Sequence, residues 1–317
     1  MSRTRARPLH RLSRVRSALL IAFAFLAGCS SSSEREPSVF AVRLSVPSFT
    51  VAPGDEVSPC YYTSVPEEAA SAVVRIESAM TPGSHHLVLF RTDEALAPDG
   101  TFGDCDALLA FSSPQDMPQW IYAAQEDVQT FETPDGVGIP LPPGSHVAFS
   151  LHYVNASTEP LDVDLHLELF YAKDSVTSAG SFVSYAPDIS VLPQAEGFVS
   201  GHCELPHDAN VFMLTTHSHQ FTTSARIDRW AGGVNLERLL LTEDWEHPTV
   251  ETHSGGDYVT LGADEELAYT CRFQNTLDET LIDGESAVNE EMCMAIGWYF
   301  PANGANTYCA GNVSATF

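Results

Sequence analysis

The sequence predicts an all-β protein built as two antiparallel sandwiches, on three observations. Strand-like alternation runs through most of the chain, turn residues separate the runs, and no long stretch shows a 3.6-residue period. Beyond the N-terminal segment about 280 residues remain, more than one ordinary domain, so two are expected.

The clearest strand is LDVDLHLELF at 161–170, where Leu161, Val163, Leu165, Leu167 and Leu169 share one face and Asp162, Asp164, His166 and Glu168 the other. That is a half-buried antiparallel strand. Strands are also expected over 72–76, 87–90, 147–154, 198–203, 210–216, 267–273 and 294–300. Between them stand the turn formers Pro53-Gly54-Asp55, Pro82-Gly83, Pro142-Pro143-Gly144 and Gly232-Gly233. The alternation ends in AKDSVTSAG, which places a boundary near 171–180 and domains at 38–175 and 176–317.

The N-terminus reads as an export signal. Six arginines precede the short apolar run 18–27, then Leu26-Ala27-Gly28-Cys29 and a serine run. This resembles a bacterial lipoprotein signal (1–28), with Cys29 carrying the lipid and 29–37 a flexible tether. The expected location is the bacterial cell envelope, with the membrane met through the lipid anchor. The run is too short for a comfortable transmembrane span. Without 1–28, nine basic residues face 42 acidic ones, a formal charge of about −33. Such a field excludes nucleic acid as a partner and favours neutral or cationic ones. Six further cysteines, an even number in an oxidising compartment, read as three disulfides, and their wide spacing excludes a CxxC zinc cluster.

Three histidine groups stand apart from the other histidines. His85-His86 opens HHLVLF after a Pro-Gly turn, His152 lies in FSLHYVN, and His217 and His219 lie in LTTHSHQF. Residues i and i+2 of a strand share a face, so His217 and His219 aim at one spot. Adjacent residues on a regular strand face opposite ways, so His85 and His86 can reach one ion only at an irregular strand start. Met292 follows in NEEMCMAIGWYF. Its thioether favours copper(I), and zinc seldom takes methionine, which argues against a zinc hydrolase.

The order HH, HY, HxH, then Met beside Cys resembles the copper type II ascorbate-dependent monooxygenases, over nearly the whole chain beyond the signal. The resemblance implies two tandem jelly-roll-like sandwiches, each holding one copper, facing each other across a solvent-filled cleft. His85, His86 and His152 would hold an electron-storing copper. His217, His219 and Met292 would hold the catalytic one. The implied disulfides are Cys60–Cys105, Cys203–Cys309 and Cys271–Cys293. The implied reaction is hydroxylation of a C–H bond of a small organic substrate, with dioxygen and ascorbate or another external reductant. The alternative is a copper-binding or copper-handling envelope lipoprotein without the chemistry.

The substrate pocket departs from the peptide-hydroxylating relatives. Their arginine two residues before HxH is Thr215 here, and their asparagine and tyrosine after the methionine are Met294 and Ile296. Without a cation, a substrate carboxylate is costly to desolvate, so a neutral or amine-bearing substrate is expected.

Overall fold

The computed structural model describes residues 39–109, 117–206, 208–303 and 305–316. The signal, Cys29 and the tether lie outside the described residues.

The all-β expectation holds; one four-residue helix, Asp106–Leu109, interrupts the strands among the described residues. Two sheets form the N-terminal sandwich. One runs Val39–Val51, Leu161–Ala172, Ala72–Met80, Val137–Pro140, Thr177–Ser178, with Val128–Glu132 also on Ala72–Met80. The other runs Thr101–Gly103, Cys60–Ser64, His146–Val154, Ser84–Thr92, Gln119–Ala124, with Glu56–Val57 also on His146–Val154. Their inner faces pack Val42, Ile76, Leu165 and Leu167 against Leu87, Tyr122, Phe149 and Leu151. On the face read from 161–170, Val163, Leu165, Leu167 and Leu169 are buried here and Leu161 is half-buried.

In the second half, the strands Val250–Thr252, Asn210–Ser218, Cys293–Phe300, Gly180–Tyr185, Thr307–Ala310 and Val313–Thr316 form one sheet, with Val259–Thr260 on Asn210–Ser218. A second sheet runs Glu196–Cys203, Glu265–Gln274, Thr222–Ala231, Val234–Thr242. Gly232 and Gly233, both at positive φ (57° and 79°), close its hairpin. The three disulfides pair as the resemblance implies: Cys60–Cys105, Cys203–Cys309 and Cys271–Cys293.

The strand Cys293–Phe300 positions the site. Cys293, Ala295 and Tyr299 face the core of the second half, while Met294, Ile296 and Trp298 join the core of the first. Strict alternation between two apolar layers explains why MAIGWYF reads as a continuous hydrophobic run rather than a half-polar strand. Phe131 of the first half lies 5.0 Å from Trp298 and 6.1 Å from Phe212, centroid to centroid. The halves therefore share a core, where the resemblance implied an open cleft.

Candidate metal centre

An irregularity brings His85 and His86 to one spot. His86 pairs with His152, and the next pair is Ser84 with Tyr153. His85 is the extra residue of a β-bulge, which turns its side chain out of the regular alternation. The preceding Gly83 sits at φ 105°, and a Cβ there would meet the Leu161 side chain at 3.0 Å. The turn thus needs glycine for both backbone angle and space.

His217 pairs with Met294, and Ser218 with Cys293. The ladder ends there, and just beyond it the backbone N–H groups of His219 and Met292 both donate to Glu291 Oε2. His217 and His219 meet the first histidine group. Ring centroids of His85 lie 5.2 Å from His86, 5.0 Å from His152, 5.1 Å from His217 and 5.1 Å from His219. His86 is also 5.1 Å from both His152 and His217. The five imidazoles form one cluster. Two overlapping triads, His85-His86-His152 and His85-His217-His219, each have ligand atoms within 4.8 Å of one another.

The outward nitrogens are held and the inward ones are left open. His152 Nε2 bonds Glu56 Oε1 (2.8 Å), His217 Nδ1 bonds Gln125 Oε1 (3.0 Å), and His219 Nδ1 bonds the Glu290 carbonyl (3.1 Å). Each acceptor fixes its ring as a donor on that side, leaving the other nitrogen as a lone pair. His85 Nε2, His86 Nδ1, His217 Nε2 and His219 Nε2 are buried with no hydrogen-bond partner. Buried polar atoms are rarely left so, and converging lone pairs are what a metal ion requires.

Four of the rings are also held neutral. Burial, then the neighbouring imidazoles, pushes His85 down to about 3 and holds His86 and His217 well below the usual histidine value. Burial lowers His219 to about 4. Metal binding therefore meets little proton competition near neutrality. The unfolded chain protonates these rings below pH 6.5 while the fold resists until about 4 and 3, so stability present above pH 6.5 is lost progressively as pH falls from 6.5 to about 3. Glu291 runs the other way: burial pushes its carboxyl up to about 7 against four donated hydrogen bonds, so its contribution is lost as pH rises through 7. In metal-free Glu291→Gln, which lacks that opposing group, urea midpoints should rise steadily from pH 4 to 6.5.

The sequence did not point to several residues around the cluster. Glu56 and Gln125 are single polar residues whose role depends on long-range pairing, and nothing local marks them. Trp245, on the loop after Val234–Thr242, lies with its ring tilted against His85, 5.8 Å centroid to centroid. Glu291 is fully buried and accepts from the backbone of His219, Phe221 and Met292 and from the Thr222 hydroxyl. Its place in NEEM beside Met292 was the available signal. Met292 is half-buried against the shared core. Of the positions expected to line a substrate pocket, Met294 and Ile296 are buried in that core, and Thr215 donates to the Thr249 carbonyl (3.0 Å). Two surface hollows, one around Ala70, Gly138 and Ser175 and one around Phe49 and Asp162, are not lined by histidine.

Fold and site together define an all-β sandwich protein with a buried cluster of five histidines, a candidate metal centre. Residues 180–317 match the family model of the copper type II ascorbate-dependent monooxygenase C-terminal domain. A Homo sapiens protein, DBH-like monooxygenase protein 2, is 22% identical over 248 residues, 72% of this chain and 48% of that protein. The chain thus spans about half the length of this curated relative. These matches bear out the resemblance to the copper type II monooxygenase family. Among solved structures, the major capsid protein P2 of bacteriophage PM2 aligns with a TM-score of 0.36 at 9% identity, covering 82% of this chain and 97% of that one. PNGase F, a glycosylasparaginase from Flavobacterium meningosepticum, aligns at 0.34 and 8%, covering 88% and 99%. Likenesses this weak carry no argument about function.

Proposed function

We propose that this chain is a copper-dependent monooxygenase that hydroxylates a C–H bond of a small organic substrate, using dioxygen and an external reductant. The observation that carries the reading is the convergence of five imidazoles, four of which (His85, His86, His217 and His219) each present a buried nitrogen with no hydrogen-bond partner. The donor set fits copper: imidazole suits both its oxidation states, and Met292, whose backbone shares the Glu291 carboxylate with His219, offers a soft ligand. His85, His86 and His152 would hold one ion, and His217, His219 and Met292 the other. Copper, when bound, supplies the one-electron and dioxygen chemistry.

The protein's own contributions are separate from that chemistry. Glu56, Gln125 and the Glu290 carbonyl fix the ring tautomers. Burial keeps His85, His86, His217 and His219 unprotonated, and the buried Met294 lies opposite His217 on the neighbouring strand. The reductant is ascorbate or another small donor. The acidic surface favours a neutral or amine substrate, and Thr215, Met294 and Ile296 supply no cation for a carboxylate. We assign Cys29 as the lipid anchor of an envelope protein, on the signal-like residues before it.

A non-catalytic copper-handling role is the second reading, favoured by the packed side chains where a cleft was expected. Oxygen uptake with a chemical reductant and a panel of phenethylamines, alkylbenzenes and glycine-extended peptides separates the two. Substrate-dependent uptake with stoichiometric hydroxylated product supports the monooxygenase; copper binding without product supports handling. In the same assay Met292→Ile should abolish hydroxylation, and the sulfur scattering in X-ray absorption of the reduced wild type should vanish. Persisting scattering would move the sulfur ligand to Met294.

A further inference from the structure

Glu56 sits on the short strand Glu56–Val57 of the first half, yet its carboxylate is shared with the second. Oε1 accepts from His152 Nε2 (2.8 Å) and from the Ala287 backbone N–H (3.0 Å), and Oε2 accepts from the Ser286 hydroxyl (3.0 Å). The Ser286 backbone N–H in turn donates to Glu290 Oε2 (3.0 Å), and the Glu290 carbonyl accepts from His219 Nδ1 (3.1 Å). Gly284 leaves the space that the Glu290 carboxylate occupies, where any Cβ would collide with it. Three residues, Glu56, Ser286 and Glu290, thus link the outward nitrogen of His152 to that of His219 by hydrogen bonds. Both carboxylate oxygens of Glu56 are used, and Oε1 accepts from His152 of the first half and Ala287 of the second at once.

We infer that Glu56 is a positioning residue for both histidine groups at once: a latch that fixes the His152 ring and, through Ser286 and Ala287, the segment that orients His219. The inference rests on the reading that the histidines hold copper, but its mechanical part does not need the metal. If the latch acts only on His152, removing Glu56 should leave the second group untouched. If it acts on both, the effect should survive removal of His152.

The test therefore combines Glu56→Ala with His152→Ala. Copper affinity of the remaining group, measured against a competing chelator, should fall about 10–100-fold when Glu56→Ala is added to His152→Ala. Glu56→Gln keeps an acceptor toward His152 and Ala287, and its amide can donate to the Ser286 hydroxyl, so it should recover most of the affinity. Hydrogen exchange of the metal-free protein gives an independent reading. Amides of 284–291, Ala287 first, should exchange at least tenfold faster in Glu56→Ala than in the wild type. No effect of Glu56→Ala in the His152→Ala background, together with unchanged exchange at 284–291, would overturn the latch. A wild type that binds no copper would overturn the metal reading instead, and the exchange data would still decide the latch.

Discussion

Alanine at His85 should disturb both copper positions, whereas alanine at His86 should cost one. His85 is in ring contact with His86, His152, His217 and His219 and belongs to both triads of converging nitrogens. If each half held its copper independently, the two substitutions would be equivalent. In the cluster they are not, because the space vacated by His85 lies between the triads. Copper per chain after gel filtration should fall from two to one in His86→Ala. In His85→Ala the retained ion should also bind at least tenfold more weakly than in His86→Ala, a loss of the size that neighbouring residues impose on metal sites. Equal stoichiometry and affinity in the two variants would show that His85 serves only the first group.

Glu291→Ala should be the most destabilising single substitution around the site. The carboxylate is fully buried and accepts from His219 N (3.0 Å), Phe221 N (2.7 Å), Thr222 Oγ1 (3.1 Å) and Met292 N (3.1 Å). Each buried donor left without a partner costs about 1–3 kcal/mol, and partial resolvation brings the sum to about 3–5 kcal/mol. The same oxygen, Oε2, holds the backbone N–H groups of both His219 and Met292. Stability and metal affinity should therefore fall together. Urea unfolding of the metal-free protein reads the first, and chelator competition the second. A stability loss below about 1 kcal/mol would mean that water or a neighbouring group takes over the donors.

Much of the fold was legible because its strands carry their own signal. Alternation in 161–170 marked the inner face of the first sandwich, and Gly232-Gly233 marked a hairpin, since both are consequences of local geometry. The histidine groups and Met292 could be chosen because ligand chemistry restricts which side chains matter. The relation between the groups was not legible. It follows from the face of Cys293–Phe300 that turns toward the first half, and a hydrophobic run buried on both sides gives no hint of which layer each residue meets. The bulge at His85 was legible only as a requirement, that adjacent histidines need an irregular strand start; the pairing of His86 with His152 supplies it. Glu56, Gln125 and Trp245 were missed because each becomes a neighbour of the site only through contacts distant in sequence.

The central claim is that the five histidines form one centre. Paramagnetic resonance of the protein loaded with two equivalents of copper(II) tests it most directly. His85, shared by the two triads, and His86 of one lying 5.1 Å from His217 of the other predict two ions close enough to couple. The spectrum should then show a broadened or diminished signal that reverts to a sharp mononuclear one in His86→Ala. Two sharp, independent copper(II) signals in the wild type, unchanged in shape when either histidine group is removed, would contradict the account.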